Sequence, residues 1–257
     1  MNEPARLTGK RALVTGGGRG IGAAIARRLA AEGAAVAVNY LANASSAEAL
    51  VRELTDKGYQ AAAFRADVAD RAQTVDLVAR VVAEYGGLDI LASNAGVEHF
   101  GALESITDTD FDRVFRINVA GQLFATQAAV AAMKSGGRIV LTSSISARIA
   151  VYGHTLYAAS KAAVSAMALN LAPELAERGI AINAIAPGGT ATDMAAEVGM
   201  LYIPPALRDV PAEAVIRSMN AIGRLAEPEE IAAVAAFLLS PDASYITGAT
   251  IDASGGM

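Results

Sequence analysis

The chain has no cysteine, which excludes disulfides and thiolate chemistry and says little else. Its only histidines, His99 and His154, are too few and too far apart to suggest a metal site. No basic cluster exceeds the pair Arg27-Arg28, and the formal net charge is −5. That balance speaks against nucleic-acid binding. No apolar run approaches the roughly 18 residues of a membrane span, and no stretch reads as a signal peptide. The expectation is a cytoplasmic protein without a membrane partner. Linkers, repeats and low-complexity tracts are also missing, so the 257 residues are expected to form one domain.

What is present is an alternation. Hydrophobic residues make up 53% of the chain, which suits a parallel sheet covered on both faces. Strands are expected at Arg11–Val14, Ala35–Asn39, Ala61–Arg65, Ile90–Ser93, Arg138–Ser143, Ala181–Ala186 and Thr250–Asp252. Helices are expected at Gly20–Glu32, Ser46–Lys57, Arg71–Tyr85, Asp110–Met133, Thr155–Arg178 and Pro228–Leu239. Strand followed by helix, repeated, implies an α/β fold with a doubly wound parallel sheet of about seven strands. Pro173 lies inside the Thr155–Arg178 helix, where it removes one backbone bond and should kink the axis. It is three turns from Lys161, so the N-terminal end of that helix is expected to be unaffected.

The first strand runs into Thr15-Gly16-Gly17-Gly18-Arg19-Gly20-Ile21-Gly22 and then into a helix. Glycines let backbone approach a pyrophosphate closely, and a helix N-terminus offers unpaired N–H groups to its charge. Alone the motif is weak, but a second strand follows the helix, as a dinucleotide site requires. An acid just after that strand would grip a ribose 2′-hydroxyl. Asn39-Tyr40 stand there instead, and no Asp or Glu occurs between Gly33 and Glu48. Arg19 is in reach of the same place. A cation without an acid suits the 2′-phosphate of NADP(H); the other reading of Arg19 is a solvated loop cation.

Tyr157 and Lys161 are four residues apart on an expected helix and so share a face. A free tyrosine has a pKa of about 10, too high for proton exchange near neutrality. An ammonium nearby favours phenolate and is expected to make Tyr157 a usable acid or base. Ser144, thirteen residues upstream, offers a hydroxyl to the oxygen that gains the proton. Carbonyl reduction needs this set once a cofactor delivers hydride. Taken alone, a Tyr-x-x-x-Lys pair is more often an ordinary feature of a helix surface.

These residues together resemble the short-chain dehydrogenase/reductase family. Thr15 to Gly22 is similar to its TGxxxGxG cofactor motif, and Ser93-Asn94-Ala95-Gly96 to its NNAG motif with Ser in first place. Asn118 falls where the family has its catalytic asparagine, and Ser144, Tyr157 and Lys161 fit its Ser–Tyr–x3–Lys set. Pro187-Gly188-Gly189-Thr190-Ala191-Thr192 resembles the loop that holds the nicotinamide end. Five ordered motifs cover the chain from about Gly9 to Met257. The resemblance implies a Rossmann-type fold and NADP(H) held by the glycine loop, Asn39, Tyr40, Asp67, Val68, Asn94, Ala95, Gly96, Tyr157, Lys161, Pro187, Gly188, Thr190, Thr192 and Met194. It further implies that Asn118 positions a water relaying protons to Lys161. For Asp67 a turn acid, and for Asn118 a mid-helix asparagine bonding backbone, remain the plainer readings. Ser143 is the neighbour competing with Ser144; the thirteen-residue spacing favours Ser144.

Between Thr192 and about Pro211 the chain is apolar with Gly and Pro, which reads as a mobile lid over a greasy ligand or as a loop folded into its own core. The lid is placed at about 193–215. Here the chain is similar to the naphthol and versicolorin reductases of fungi. The similarity lies in Thr192-Asp193-Met194, Tyr202-Ile203-Pro204, Val38-Asn39-Tyr40, His154 three residues before Tyr157, and the Met257 terminus. That resemblance implies NADPH-dependent reduction of an aromatic polyketide-type ketone. It implies a substrate site of Ser144, Ile145, His154, Tyr157, Gly188, Gly189, Met194 and Tyr202, the last covering an aromatic ring. Ala195 stands where these relatives often have tyrosine, which implies a wider pocket and a multi-ring substrate.

Two other readings stay open. A 3-oxoacyl-carrier-protein reductase would place basic residues at the pocket mouth for an acidic carrier protein; Arg148, Arg208 and Arg217 are scattered candidates. A non-catalytic NADP-binding regulator is opposed by the intact Asn118–Ser144–Tyr157–Lys161 set. The long helices Asp110–Met133 and Thr155–Arg178 either bury one face within the subunit or, as the family implies, build a homotetramer.

Overall fold

In a computed structural model, residues 5–257 are described. Seven parallel strands form one sheet: β1 (Arg11–Thr15), β2 (Ala35–Tyr40), β3 (Ala61–Arg65), β4 (Leu88–Ser93), β5 (Met133–Thr142), β6 (Ala181–Pro187) and β7 (Thr250–Ala253). Their order is β3-β2-β1-β4-β5-β6-β7. The order reverses between β1 and β4, the place where open α/β sheets bind ligands beyond the strands' carboxyl ends.

The β1 sequence shows why the sheet is covered twice. Ala12 and Val14 point to one face and Leu13 to the other, and all three are fully buried. Val14, Val36 and Val38 pack against Ile25 and Leu29 of α1 (Gly20–Ala31), Leu50 and Leu54 of α2 (Ala44–Asp56), and Ile231 and Leu238 of a C-terminal helix, Pro228–Leu238. On the opposite face Leu13, Leu91, Ile139 and Leu141 meet Leu77 and Val81 of α3 (Arg71–Tyr85) together with the helices that carry the candidate site. Burial of this kind contributes about 25 cal/mol per Å² of apolar surface. Both faces are therefore closed by aliphatic side chains, and function is left to the strand ends.

The expected helix Asp110–Met133 is three pieces. A capping box of Thr107 and Asp110 starts α4 (Asp108–Phe115) two residues earlier than expected. A π-helical turn, Arg116–Ala120, follows, and then α5 (Gly121–Ala132). Met133 has left the helix and pairs with Leu88 as the start of β5. No Gly, Pro or capping signal marks Arg116–Ala120, so the sequence pattern does not register the inserted π residue. The helix carrying Tyr157, α6, runs Thr155–Ala176 and continues past Pro173.

The 193–215 segment is neither an open loop nor a core element. Thr192 caps a short helix, α7 (Asp193–Val198), by accepting from Ala195 N at 3.2 Å. A 3₁₀ turn (Gly199–Tyr202) and α8 (Ala212–Met219) follow, before α9, the helix Pro228–Leu238 named above. Ile203 and Val215 are buried, whereas Met200, Leu201, Leu207 and Val210 are exposed.

Candidate active site

The glycine loop is shaped by contacts that no side chain permits. Gly16 (φ +61°) and Gly20 (φ +53°) occupy left-handed backbone. A Cβ on Gly16 would sit 2.9 Å from Ala95 Cα, and one on Gly22 would meet Gly16 O and, at 2.6 Å, Asn94 Nδ2. The end of β4 is tied on from the other side. Thr15 Oγ1 accepts from Asn94 N (3.0 Å) and Ala95 N (3.2 Å), and Asn94 Nδ2 donates to Thr15 O and Gly16 O. The N-terminus of α1 has no side-chain cap. A tight glycine cradle facing an uncapped helix start fits a dinucleotide pyrophosphate.

At the end of β2, Asn39 is spent on structure. It is buried; its Nδ2 donates to Phe64 O and Ala66 O, and its Oδ1 accepts from Gly16 N at 3.3 Å. Its amide therefore braces β2 to β3 and to the glycine loop. Tyr40 beside it is half-buried. Arg19 is half-exposed and only loosely paired, to Glu197 at 3.7 Å and Asp193 at 4.0 Å in α7. Asp67 closes a turn, accepting from Ala69 N at 2.9 Å, and Val68 is buried behind it.

The polar platform under the cleft is joined through one carbonyl. Lys161 Nζ donates to Thr142 O at 2.9 Å, and Gln122 Nε2 donates to the same oxygen at 3.0 Å while also donating to Asn118 O at 3.2 Å. Asn118 sits in the π turn, fully buried. Its amide pairs with Val97 N and Val97 O, at 2.8 and 2.9 Å, and with Ser160 Oγ at 3.0 Å. The inserted residue brings Asn118 and Lys161 to one place, where Gly96 leaves room: a Cβ there would be 3.2 Å from Asn118 Oδ1 and 3.3 Å from Lys161 Nζ.

The two serines separate cleanly. Ser143 Oγ donates to Lys161 O at 2.7 Å and meets Ser165 Oγ at 2.8 Å, so it fastens β5 to α6. Ser144 Oγ accepts from Ser146 N at 3.1 Å and interacts with the Tyr157 hydroxyl. Ile145 is buried beside it.

Electrostatics differ from the expected lysine effect. Lys161 Nζ lies 5.4 Å from the centre of the Tyr157 ring. Burial is the main influence on the phenol and pushes its pKa up; the Glu98 carboxylate adds to that, and the Ser144 hydroxyl opposes it. Burial also lowers Lys161 to about 8, against an upward pull from Glu98.

Glu98 was not foreseen, and it organises the other wall. His154 Nε2 donates to Glu98 Oε1, and Tyr202 Oη donates to Glu98 Oε2 at 2.9 Å. His154 is sandwiched between Phe100, at 4.4 Å, and Tyr157, at 4.6 Å. Tyr202 meets the edges of both Phe100 (4.9 Å) and His154 (5.1 Å). Burial drives the Tyr202 phenol pKa upward as well. The only hint in the sequence was position: Glu98 follows the glycine that closes the β4 motif, at the sheet's reactive edge.

The loop after β6 completes the cleft. A Cβ on Gly188 would lie 2.8 Å from Ser254 Cα, and one on Gly189 2.8 Å from Leu225 Cδ2. Thr190 Oγ1 donates to Gly188 O, Thr192 packs near Gly20, and Met194 is half-buried in α7. Two of the three arginines considered for a carrier are engaged: Arg148 pairs with Asp252 at 2.7 Å and Arg217 with Glu213 at 3.1 Å.

A glycine cradle at the switch point, with Ser144, Tyr157 and Lys161 gathered beside it, suits a dinucleotide-dependent oxidoreductase. The chain belongs to the short-chain dehydrogenase/reductase family: the family model described as enoyl-(acyl carrier protein) reductase matches residues 16–257. It is similar to versicolorin reductase 1 of Aspergillus parasiticus, with 41% identity over 259 residues, 100% of this chain and 99% of that one. A hydroxynaphthalene reductase-like protein of Metarhizium robertsii is 41% identical over 257 residues, 98% of this chain and 96% of its own. A short-chain dehydrogenase of Burkholderia cenocepacia, solved in complex with NADP, superposes with a TM-score of 0.89 at 43% identity and 98% coverage of each chain. Among the described residues no helix is long and apolar enough to cross a membrane.

Proposed function

We propose that this chain reduces a ketone, or the keto tautomer of a phenol, on an aromatic polyketide-type substrate with NADPH. The observation that carries the substrate class is the aromatic wall of Phe100, His154, Tyr157 and Tyr202 beside the reactive phenol. Flat rings bind such walls by offset or edge contacts. The naming of relatives as versicolorin and hydroxynaphthalene reductases supports the same class, as does the NADP in the Burkholderia structure for the cofactor.

NADPH would be held by Gly16, Gly20, Ile21 and Gly22 at the pyrophosphate, Arg19 at the 2′-phosphate, and Asp67 with Val68 at the adenine end. Asn94 to Gly96 would line the cofactor, and Pro187 to Met194 would hold its nicotinamide end. When bound, NADPH supplies the hydride. Ser144 donates to the carbonyl oxygen and Tyr157 protonates it. A phenol kept protonated by burial is the correct starting state for a proton donor. Lys161 holds a positive charge in a dry site, where it favours the phenolate left behind. Asn118, joined to Lys161 through Gln122 and Thr142 O, anchors the return path for the proton. The 193–215 segment closes over the ligand with Tyr202 as its contact. The exposed apolar residues Leu103, Phe111 and Leu169 on or beside α4 and α6 support a homotetramer, to be read by light scattering.

The test is NADPH oxidation against a bicyclic aromatic ketone such as a tetralone and against an acetoacetyl thioester. Turnover of the bicyclic ketone supports the proposal. Turnover of the thioester alone moves the protein to carrier-linked reduction, and saturable NADPH binding without turnover of either moves it to a regulator.

A further inference from the structure

One carboxylate touches both halves of the substrate wall. Glu98 comes from the loop after β4 and is 9% exposed in its side chain. One oxygen accepts from His154, at the N-terminus of α6, and the other accepts from Tyr202 Oη, in the segment that follows α7. His154 in turn lies flat against Tyr157 (interplanar angle 20°). Glu98 also acts electrostatically on Tyr157, Lys161 and Tyr202.

We propose that Glu98 is a positioning residue: by bridging His154 and the hydroxyl of Tyr202 it latches the 193–215 segment over Tyr157 and so sets affinity for the ketone. The assignment of a role in turnover rests on the function proposed above; the latch itself does not. Around Tyr202 the segment's other holds are the ring's own edge contacts with Phe100 and His154 and the buried Ile203. In the same segment Met200, Leu201, Leu207 and Val210 stay exposed. Its two ion pairs to Arg19 are long and half-exposed, and such pairs contribute little. A hydrogen bond to a buried carboxylate is among the stronger side-chain contacts. Without it, Tyr202 loses its fixed angle to His154 and Phe100, and a bound ring loses a wall.

Glu98 also sets the field on the phenol. The charged or titratable groups facing Tyr157 are Glu98 from the β4 loop, Lys161 and His154 from α6, and Tyr202 from the segment after α7. Glu98 disfavours the phenolate and favours the ammonium. Removing its charge while keeping its shape lowers both pKa values, so the alkaline fall of ketone reduction moves to lower pH.

Three variants of the full chain test this. Tyr202→Phe keeps the ring and deletes only the donor; Glu98→Ala deletes the acceptor; Glu98→Gln keeps an acceptor for Tyr202 without the charge. The expected result is a KM for the bicyclic ketone raised about tenfold in Tyr202→Phe and Glu98→Ala, with kcat changed far less. The double variant should be no worse than the worse single one. Glu98→Gln should recover most of the KM while its pH profile moves down. Independently of any substrate, amide hydrogen exchange at 199–207 should accelerate in Tyr202→Phe and Glu98→Ala, and not in Glu98→Gln. Unchanged exchange in Tyr202→Phe overturns the latch. An unchanged KM, or single effects that multiply in the double variant, overturns the positioning role. If no ketone is turned over the proposed function fails, whereas the exchange arm still decides the latch.

Discussion

The floor of the cleft and its aromatic wall are built to opposite specifications. In the floor, Asn118, Gln122, Thr142, Ser143, Ser160 and Lys161 are all buried and hydrogen-bonded to one another or to nearby backbone. Each of α5, β5 and α6 contributes, so a shift in one is opposed by the other two. The wall has Phe100 and His154 on the rigid side but Tyr202 on a segment with an exposed apolar surface, joined by one carboxylate. Groups that perform chemistry need placement to within a fraction of an ångström, whereas groups that admit substrates need room to move.

Several substitutions break or sharpen that contrast. The largest effect is expected from Tyr157→Phe, which removes the proton donor and leaves the ring stacked on His154. Ketone reduction should fall by about a thousandfold or more, with NADPH binding by fluorescence titration nearly unchanged. A modest loss of rate would show that this phenol does not carry the proton.

Next comes Asn39→Asp. Asn39 Nδ2 donates to two carbonyls, Phe64 O and Ala66 O. A carboxylate facing them should cost roughly 1–3 kcal/mol or more in denaturant unfolding, in place of a clean switch to NADH. Unchanged stability with NADH preference would show that this side chain is free to face a ribose.

Lys161→Met probes the buried charge. The folded pKa of about 8 lies below the ordinary lysine value of 10.5, so between these values the unfolded chain holds a proton that the folded chain has lost. Stability therefore rises with pH across that window and gains nothing from this group below about pH 8. The wild-type protein should gain stability relative to Lys161→Met as pH goes from 8 to 10.5, by up to about 3 kcal/mol. A difference flat in pH would place the ammonium in contact with water.

Arg19→Ala is expected to lower kcat/KM with NADPH by about tenfold and to leave NADH nearly unaffected. Equal losses with both cofactors would make Arg19 an anchor for α7. The smallest effect belongs to Ala195→Tyr on the moving side: KM should rise several-fold for a multi-ring ketone and stay near its original value for a tetralone. Equal changes would mean that α7 does not border the substrate.

How much of this was legible in the chain varies by element. β3 and α3 run over Ala61–Arg65 and Arg71–Tyr85, where periodicity placed them, because their apolar pattern and caps are local. The expected helix Asp110–Met133 is broken by the π turn at Arg116–Ala120, where no Gly, Pro or cap in the sequence marks the change. Asn39 was expected among the cofactor contacts, and its amide is taken by the carbonyls of Phe64 and Ala66 at the end of β3, about 25 residues along the chain, which no local pattern reports. The i,i+4 spacing led to the expectation that Lys161 lowers the phenol's pKa; in the structure burial and Glu98 push it up, and both depend on how separate segments close around the ring.

Sequence by itself determined the alternating strands and helices, the glycine turn before α1, and the spacing that sets Ser144 and Tyr157 at one cleft, since each depends on backbone geometry over a few residues or on strand ends sharing one edge. Only the tertiary structure decided that Ser143 fastens β5 to α6, that Asn118 and Lys161 meet through Gln122 and the carbonyl of Thr142, and that Glu98 joins His154 to Tyr202. Apart from the four-residue bond between Gln122 and Asn118, those contacts link residues from 18 to 104 positions apart, and a hydrogen bond of that span exists only once the whole chain has packed.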